Sequence, residues 1–196
     1  ENAAHGLLRP LTSSPAVQGS VLLTAVYGGL MAALFEEFGR LAAMKLFMKK
    51  TLTKENALMY GVGHGGIEAV LTAGIVNISN LATAIMVNTG SIGAALGTLD
   101  EAARAATVES LSALCTTDSY LFFMAGVERI SAIALHICLS YLVYRALRYG
   151  EKRYFFAAMG LHFAVGAACR FRSHTRAGAY PSRRHGCCRV ACVPAL

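Results

Sequence analysis

"ALMYGVGHGGIEAVLTAGIVNISN" (57–80) decides how this chain is read. It is apolar and long enough to cross a bilayer, whose hydrocarbon core of about 30 Å needs roughly 20 residues of helix. Yet it carries His64 and Glu68 four residues apart, which puts both on one helical face. Three further stretches have the same apolar character: Ala16–Phe47, Tyr120–Tyr144 and the shorter Tyr154–Ala168. The chain of 196 residues is 55% hydrophobic with a mean hydropathy of +0.49, above the range of soluble domains. The expected fold is therefore an all-α polytopic transmembrane helix bundle, about four spanning helices plus an amphipathic surface helix.

Charge sets an orientation on these spans. Lys45, Lys49, Lys50 and Lys54 fall between the first two, and Arg145, Arg148, Lys152 and Arg153 between the last two. The 80–118 connection has Arg104 as its one basic residue, against Asp100, Glu101, Glu109 and Asp118. The positive-inside rule then makes the basic loops 45–54 and 145–153 cytoplasmic and the long connection external. A net charge of +7 raises nucleic acid as a partner, but no aromatic-interleaved basic surface or binding motif accompanies it. The partner environment is the lipid bilayer, with no nucleic acid.

In the long connection, Leu99, Ala103, Ala106, Leu111 and Leu114 recur at near-helical spacing, which predicts an amphipathic helix at the outer surface. The glycine-rich 88–97 before it reads as a flexible turn. Position 1 is Glu rather than Met, so residues 1–168 read as the transmembrane domain of a longer protein. From 169 to 196 the apolar pattern stops and arginines crowd in, as in a disordered or frame-shifted tail. Its Cys169, Cys187, Cys188 and Cys192, with His174 and His185, match no closed zinc spacing. Cys115 and Cys138 read as small side chains rather than a disulfide.

Polar residues inside the spans carry the functional signal. "FEEFGR" (35–40) places Glu36, Glu37 and Arg40 about one turn apart, with Arg40 able to face either carboxylate. The second span holds His64 and Glu68, the third Glu128, Arg129 and His136, the fourth His162. Each histidine alone is adequately explained by an interhelical hydrogen bond. Depth changes the weighting. His64 lies ten residues beyond Lys54, His136 nine before Arg145 and His162 nine beyond Arg153, each about 14–15 Å from one boundary. Glu37 falls at roughly 12–20 Å. An ionisable group at that level costs at least about 2.5 kcal/mol, so mutual pairing or a bound cation is needed. Imidazole and carboxylate donors suit zinc. Glycines 61, 63, 65 and 66 would let a neighbouring helix or an extended substrate approach the backbone around His64.

"EEFGR", "GVGHGGIEA" and "GVERISAIALHICLS" together resemble the motifs of the YhfC family of intramembrane metalloproteases, over roughly residues 20–165. That family is similar to the group containing type II CAAX prenyl endopeptidases and PrsW proteases. The resemblance implies a membrane-embedded metalloendopeptidase acting on a membrane protein or peptide substrate. It also implies Glu36, Glu37 and Arg40 as the catalytic group, and His64, Glu68, His136 and His162 as metal ligands. One glutamate of the pair would activate water, Arg40 would hold the other ionised, and zinc would polarise the water and the scissile carbonyl. A metal-free glutamate mechanism is open as well. The group's last motif often carries Asp or Asn four residues after its histidine, where this chain has Ser140 after His136 and Gly166 after His162. A non-catalytic membrane protein, either an ion- or proton-coupled transporter using the same groups as a relay or a scaffold, is the alternative.

Overall fold

The structure is a computed structural model that describes residues 20–179, with side chains through Arg172. The start of the first span at Ala16, and the tail donors His174, His185, Cys187, Cys188 and Cys192, lie outside the described residues or side chains. The fold is all-α, with no strand among the described residues. Helix α1 is Val21–Ala42, prolonged by a π turn over Ala43–Phe47. Helix α2, Lys54–Ala69, continues through a π turn, Val70–Gly74, into α3, Ile75–Thr89. Then come α4 (Ile92–Gly97), α5 (Glu101–Thr116), α6 (Ser119–Tyr149) and α7 (Lys152–Ala179). Four stretches are long and apolar enough to cross a membrane: Val21–Phe47, Lys54–Thr89, Ser119–Tyr149 and Lys152–Arg172.

The helices start and stop where local chemistry directs. Ser20 caps α1, its Oγ accepting from Leu23 N at 3.3 Å, and Asp100 caps α5 by accepting from Ala103 N at 2.8 Å. Gly90 (φ +77°) ends α3 and Gly150 (φ +70°) separates α6 from α7, both in the left-handed region that glycine enters without penalty. Three boundaries differ from the sequence expectation. The second span runs on to Thr89 because Asn77 satisfies its own Nδ2 on Ala73 O at 2.9 Å instead of breaking the helix. The stretch 88–97 is a turn only around Gly90; Ile92 and Leu96 make α4 by burying one helical face with Val87 and Leu111. Helix α7 passes the boundary expected at 168 and reaches Ala179, since arginines lower hydropathy without interrupting helical hydrogen bonds.

The chain divides into two compact units. The first combines α1, α2 up to Gly65, α6 from Ile133 onward, and α7. Each helix presents one stripe inward: Ala25, Gly29, Ala33, Glu37, Arg40 and Met44 on α1; Ala57, Gly61 and Gly65 on α2; His136, Leu139, Ser140 and Val143 on α6; Phe155, Ala158 and His162 on α7. Met44, Ala57, Leu139, Val143, Phe155 and Ala158 form an apolar core layer. Polar residues fill the next layer, and large apolar side chains such as Phe35, 48% exposed, point outward. That reversal is what a lipid solvent selects.

Close approach in this unit rests on glycine. A Cβ on Gly61 would lie 2.6 Å from Ile137 Cα, and one on Gly65 2.9 Å from Ile133 Cα, so these two positions form a G-x-x-x-G seam against α6. Gly29 meets Ala167 of α7 the same way, at 2.7 Å from its backbone nitrogen. Gly63 faces open space among the described residues. Gly61→Ala is therefore expected to lower the unfolding midpoint in detergent by the equivalent of about 1–3 kcal/mol. Gly63→Ala is expected to be neutral or to gain up to about 1 kcal/mol from helix propensity. Equal midpoints for the two variants would contradict the seam.

The second unit contains Gly66–Ala132, hence the end of α2, α3, α4, α5 and the first part of α6. Val87, Ile92, Leu96 and Leu111 form its small core. Of the apolar positions expected on one face of α5, Leu111 is buried and Ala103 and Leu114 are half-buried, while Leu99 and Ala106 are exposed. Among the described residues, no disulfide links Cys115, Cys138 and Cys169.

Candidate functional site

The polar layer of the first unit gathers residues from all four of its helices. On α1 the three-residue spacing of Glu37 and Arg40 lets them pair on the inward face, with Arg40 Nη1 3.5 Å from Glu37 Oε1; both side chains are completely buried. The arginine thus selects Glu37, at i+3, from the two carboxylates open to it in the sequence. Its other nitrogen, Nη2, lies 2.9 Å from His136 Nδ1 on α6, and Nη1 donates to His136 O at 3.4 Å. A guanidinium can only donate, so His136 Nδ1 is an acceptor and its ring proton belongs on Nε2. On α7, His162 Nδ1 is 2.8 Å from Glu37 Oε1, a contact in which the imidazole N–H donates to the carboxylate. Glu37 therefore anchors a histidine and an arginine at once.

Glu36 has a different setting. It is 26% exposed and its Oε2 lies 3.3 Å from His64 Nε2 on α2, itself 26% exposed, and 3.7 Å from His162 Nε2. The three imidazoles surround this carboxylate in sequence: His64 and His136 have ring centroids 4.8 Å apart, His136 and His162 5.6 Å. The structure thus brings together Glu36, Glu37, Arg40, His64, His136 and His162. Glu68 belongs to the second unit, where Arg129 Nη1 donates to its Oε1 at 3.2 Å and Arg129 Nη2 meets Glu128 at 2.9 Å.

Tyr60 was not singled out from the sequence, and Ser140 was noted there only as standing where the resembled group often carries Asp or Asn. Tyr60 stacks on His64 with centroids 5.9 Å apart, a contact the i, i+4 spacing of the two rings signals. Ser140, one turn beyond His136, is fully buried, and its Oγ has no hydrogen-bond partner among the described residues. Glu37 Oε2 is likewise buried and unpartnered among them. Polar atoms in that state mark a site built to meet something further.

The donors suit a metal. One ligand atom from each of Glu36, His64 and His136 lies within 4.8 Å of the others, and imidazole nitrogen with carboxylate oxygen is a zinc donor set.

Fold and site define a polytopic all-α membrane protein with a buried carboxylate–imidazole centre. The family model described as YhfC intramembrane metalloprotease matches residues 3–175, and the chain belongs to that family. A Bacillus subtilis (strain 168) protein described as the uncharacterized membrane protein YhfC is 39% identical over 137 residues, covering 70% of this chain and 52% of that protein. The chain thus spans about half the length of this curated relative. No solved structure matches.

Proposed function

We propose that this chain carries the active centre of an intramembrane protease in which Glu36 is the general base. The observation that carries the reading is the division of labour between adjacent glutamates: Glu37 is fully buried and bound to Arg40 and His162, while Glu36 remains partly accessible beside His64. A general base must reach a water and a scissile carbonyl, and the 26% exposure of Glu36 against the complete burial of Glu37 favours Glu36 for that role. Glu36 takes the proton from the attacking water and later delivers it to the leaving amide nitrogen. His64, stacked on Tyr60, donates to Glu36 and fixes the direction of its carboxylate. Glu37 and Arg40 lock the histidine rings of α6 and α7 against it.

His64 and His162 would hold zinc, and His136 would join them through Nε2 only on giving up the ring proton that the Arg40 contact to its Nδ1 places there. When bound, zinc lowers the pKa of its water toward neutrality and polarises the carbonyl under attack. Purified protein is then expected to contain one zinc per chain by mass spectrometry, to lose cleavage of a transmembrane peptide on chelation, and to recover it with zinc. A second reading has its own support. Arg40 places a cation 2.9 Å from His136 Nδ1, the reverse of the carboxylate that usually backs a ligating histidine. In that reading Glu36 and His64 activate water without metal, and undiminished cleavage by chelated, zinc-free protein would establish it. A transporter is distinguished by solute flux that Glu36→Gln abolishes in the absence of any proteolysis.

We further assign the basic loops 45–54 and 145–153 to the cytoplasmic side of a bacterial membrane, on the distribution of lysine and arginine. The substrate class is a membrane protein or peptide, since the partly accessible Glu36 stands among helices long and apolar enough to cross a membrane.

A further inference from the structure

The second unit holds a cleft of about 390 Å³, lined by Thr72, Asn77, Asn80, Thr117, Glu128 and Arg129 together with apolar side chains of α3 and α6. Its position is anomalous for lipid. Thr117 stands in the connection just before α6, and Arg129 lies ten residues into that helix, about 15 Å deeper by its rise. Counted from the other end, Arg129 is sixteen residues before Arg145, about 24 Å from the cytoplasmic boundary, which puts it in the outer part of a hydrocarbon core about 30 Å thick. The cleft thus extends from the start of a spanning helix into the outer part of that core.

Its polar groups form a continuous series. Asn77 and Asn80 are one turn apart on α3, and both are half-buried, whereas their neighbours Ile78, 68% exposed, and Leu81 point outward. Deeper in, Arg129 donates to Thr72 Oγ1 at 3.3 Å and is paired with both Glu68 and Glu128. Two carboxylates against one guanidinium leave the inner end with a formal surplus of one negative charge. Asn77 Nδ2 donates to Ala73 O at 2.9 Å, and the carboxamide atoms beyond that contact would forfeit their hydrogen bonds in hydrocarbon, which hydration restores.

We propose that this cleft is an aqueous inlet that admits water and neutral or cationic solutes and disfavours anions. The proposal rests on the hydrolytic reading for its purpose, because a peptidase inside a membrane consumes water. It stands on its own geometry for its existence.

Cysteine accessibility tests it on purified protein in liposomes, with the six native cysteines replaced. Single variants Asn80→Cys and Ala125→Cys are treated with membrane-impermeant cationic and anionic methanethiosulfonates, beside the lipid-facing controls Ile78→Cys and Leu81→Cys. The inlet predicts that Asn80→Cys and Ala125→Cys react at least about tenfold faster than the controls, since only a hydrated thiol ionises readily. It predicts that the cationic reagent outpaces the anionic one at Ala125→Cys by about tenfold, and that Glu128→Gln reduces this preference. Ala125→Cys reacting no faster than Ile78→Cys, or showing no charge preference, overturns the inlet. No cleavage is read in this experiment, so its failure leaves the protease assignment to be decided by Glu36→Gln.

Discussion

Glu36→Gln is expected to reduce cleavage of a transmembrane substrate by about 10²–10⁴-fold, the usual contribution of a general base, with little change in the unfolding midpoint. The amide keeps the shape of the side chain and can still hydrogen-bond His64, so the helix packing is preserved while proton acceptance is lost. Glu37→Gln should behave differently. Glu37 is completely buried between Arg40 and His162, and neutralising it strands a buried guanidinium. Its expected signature is a large fall in thermal stability, with lost activity following from misplaced histidines. Paired measurements of cleavage and unfolding in detergent separate the two roles. A Glu36→Gln protein that cleaves normally beside a stable, inactive Glu37→Gln protein would reverse the assignment.

Arg40→Met is expected to be the most destabilising single change in the first unit, by about 3–5 kcal/mol, because it leaves Glu37 as an uncompensated buried charge. The same arginine holds the backbone and ring of His136, so the loss spreads from α1 to α6. The double variant Glu37→Gln/Arg40→Met removes both charges, and a substantial part of the stability should return. Chemical unfolding of the three variants in one detergent checks this coupling. Additive losses would mean that the two side chains do not depend on each other.

The level of the site was legible because a helix turns sequence separation into depth. His64, His136 and His162 were each placed nine or ten residues from a basic loop, and their rings do cluster. Which acid met which base was not legible. That depends on the rotational phase of one helix against another, and the phase is set by contacts such as Gly61 on Ile137 and Gly29 on Ala167. Four glycines around His64 looked equivalent in the sequence, yet only Gly61 and Gly65 carry the α6 contact. Glu68 shares a helical face with His64, but spacing along one helix carries no information on its pairing with Arg129 of another, which engages it. Span ends were misjudged for a single reason. Asn80 and Arg170 lower hydropathy, whereas the helix continues wherever backbone hydrogen bonding and a side-chain outlet permit.

On the proposed function, carboxylate and imidazole groups from separate spanning helices form one hydrolytic centre within the membrane. The most direct test is mass-spectrometric mapping of the peptide bond cut when purified protein in liposomes is given a single-span substrate. A cut inside the apolar segment, about 12–20 Å from the boundary marked by the basic loops and lost in Glu36→Gln, is the predicted result. No cleavage by the wild-type protein, or a cut confined to the aqueous flanks and retained in Glu36→Gln, would contradict it.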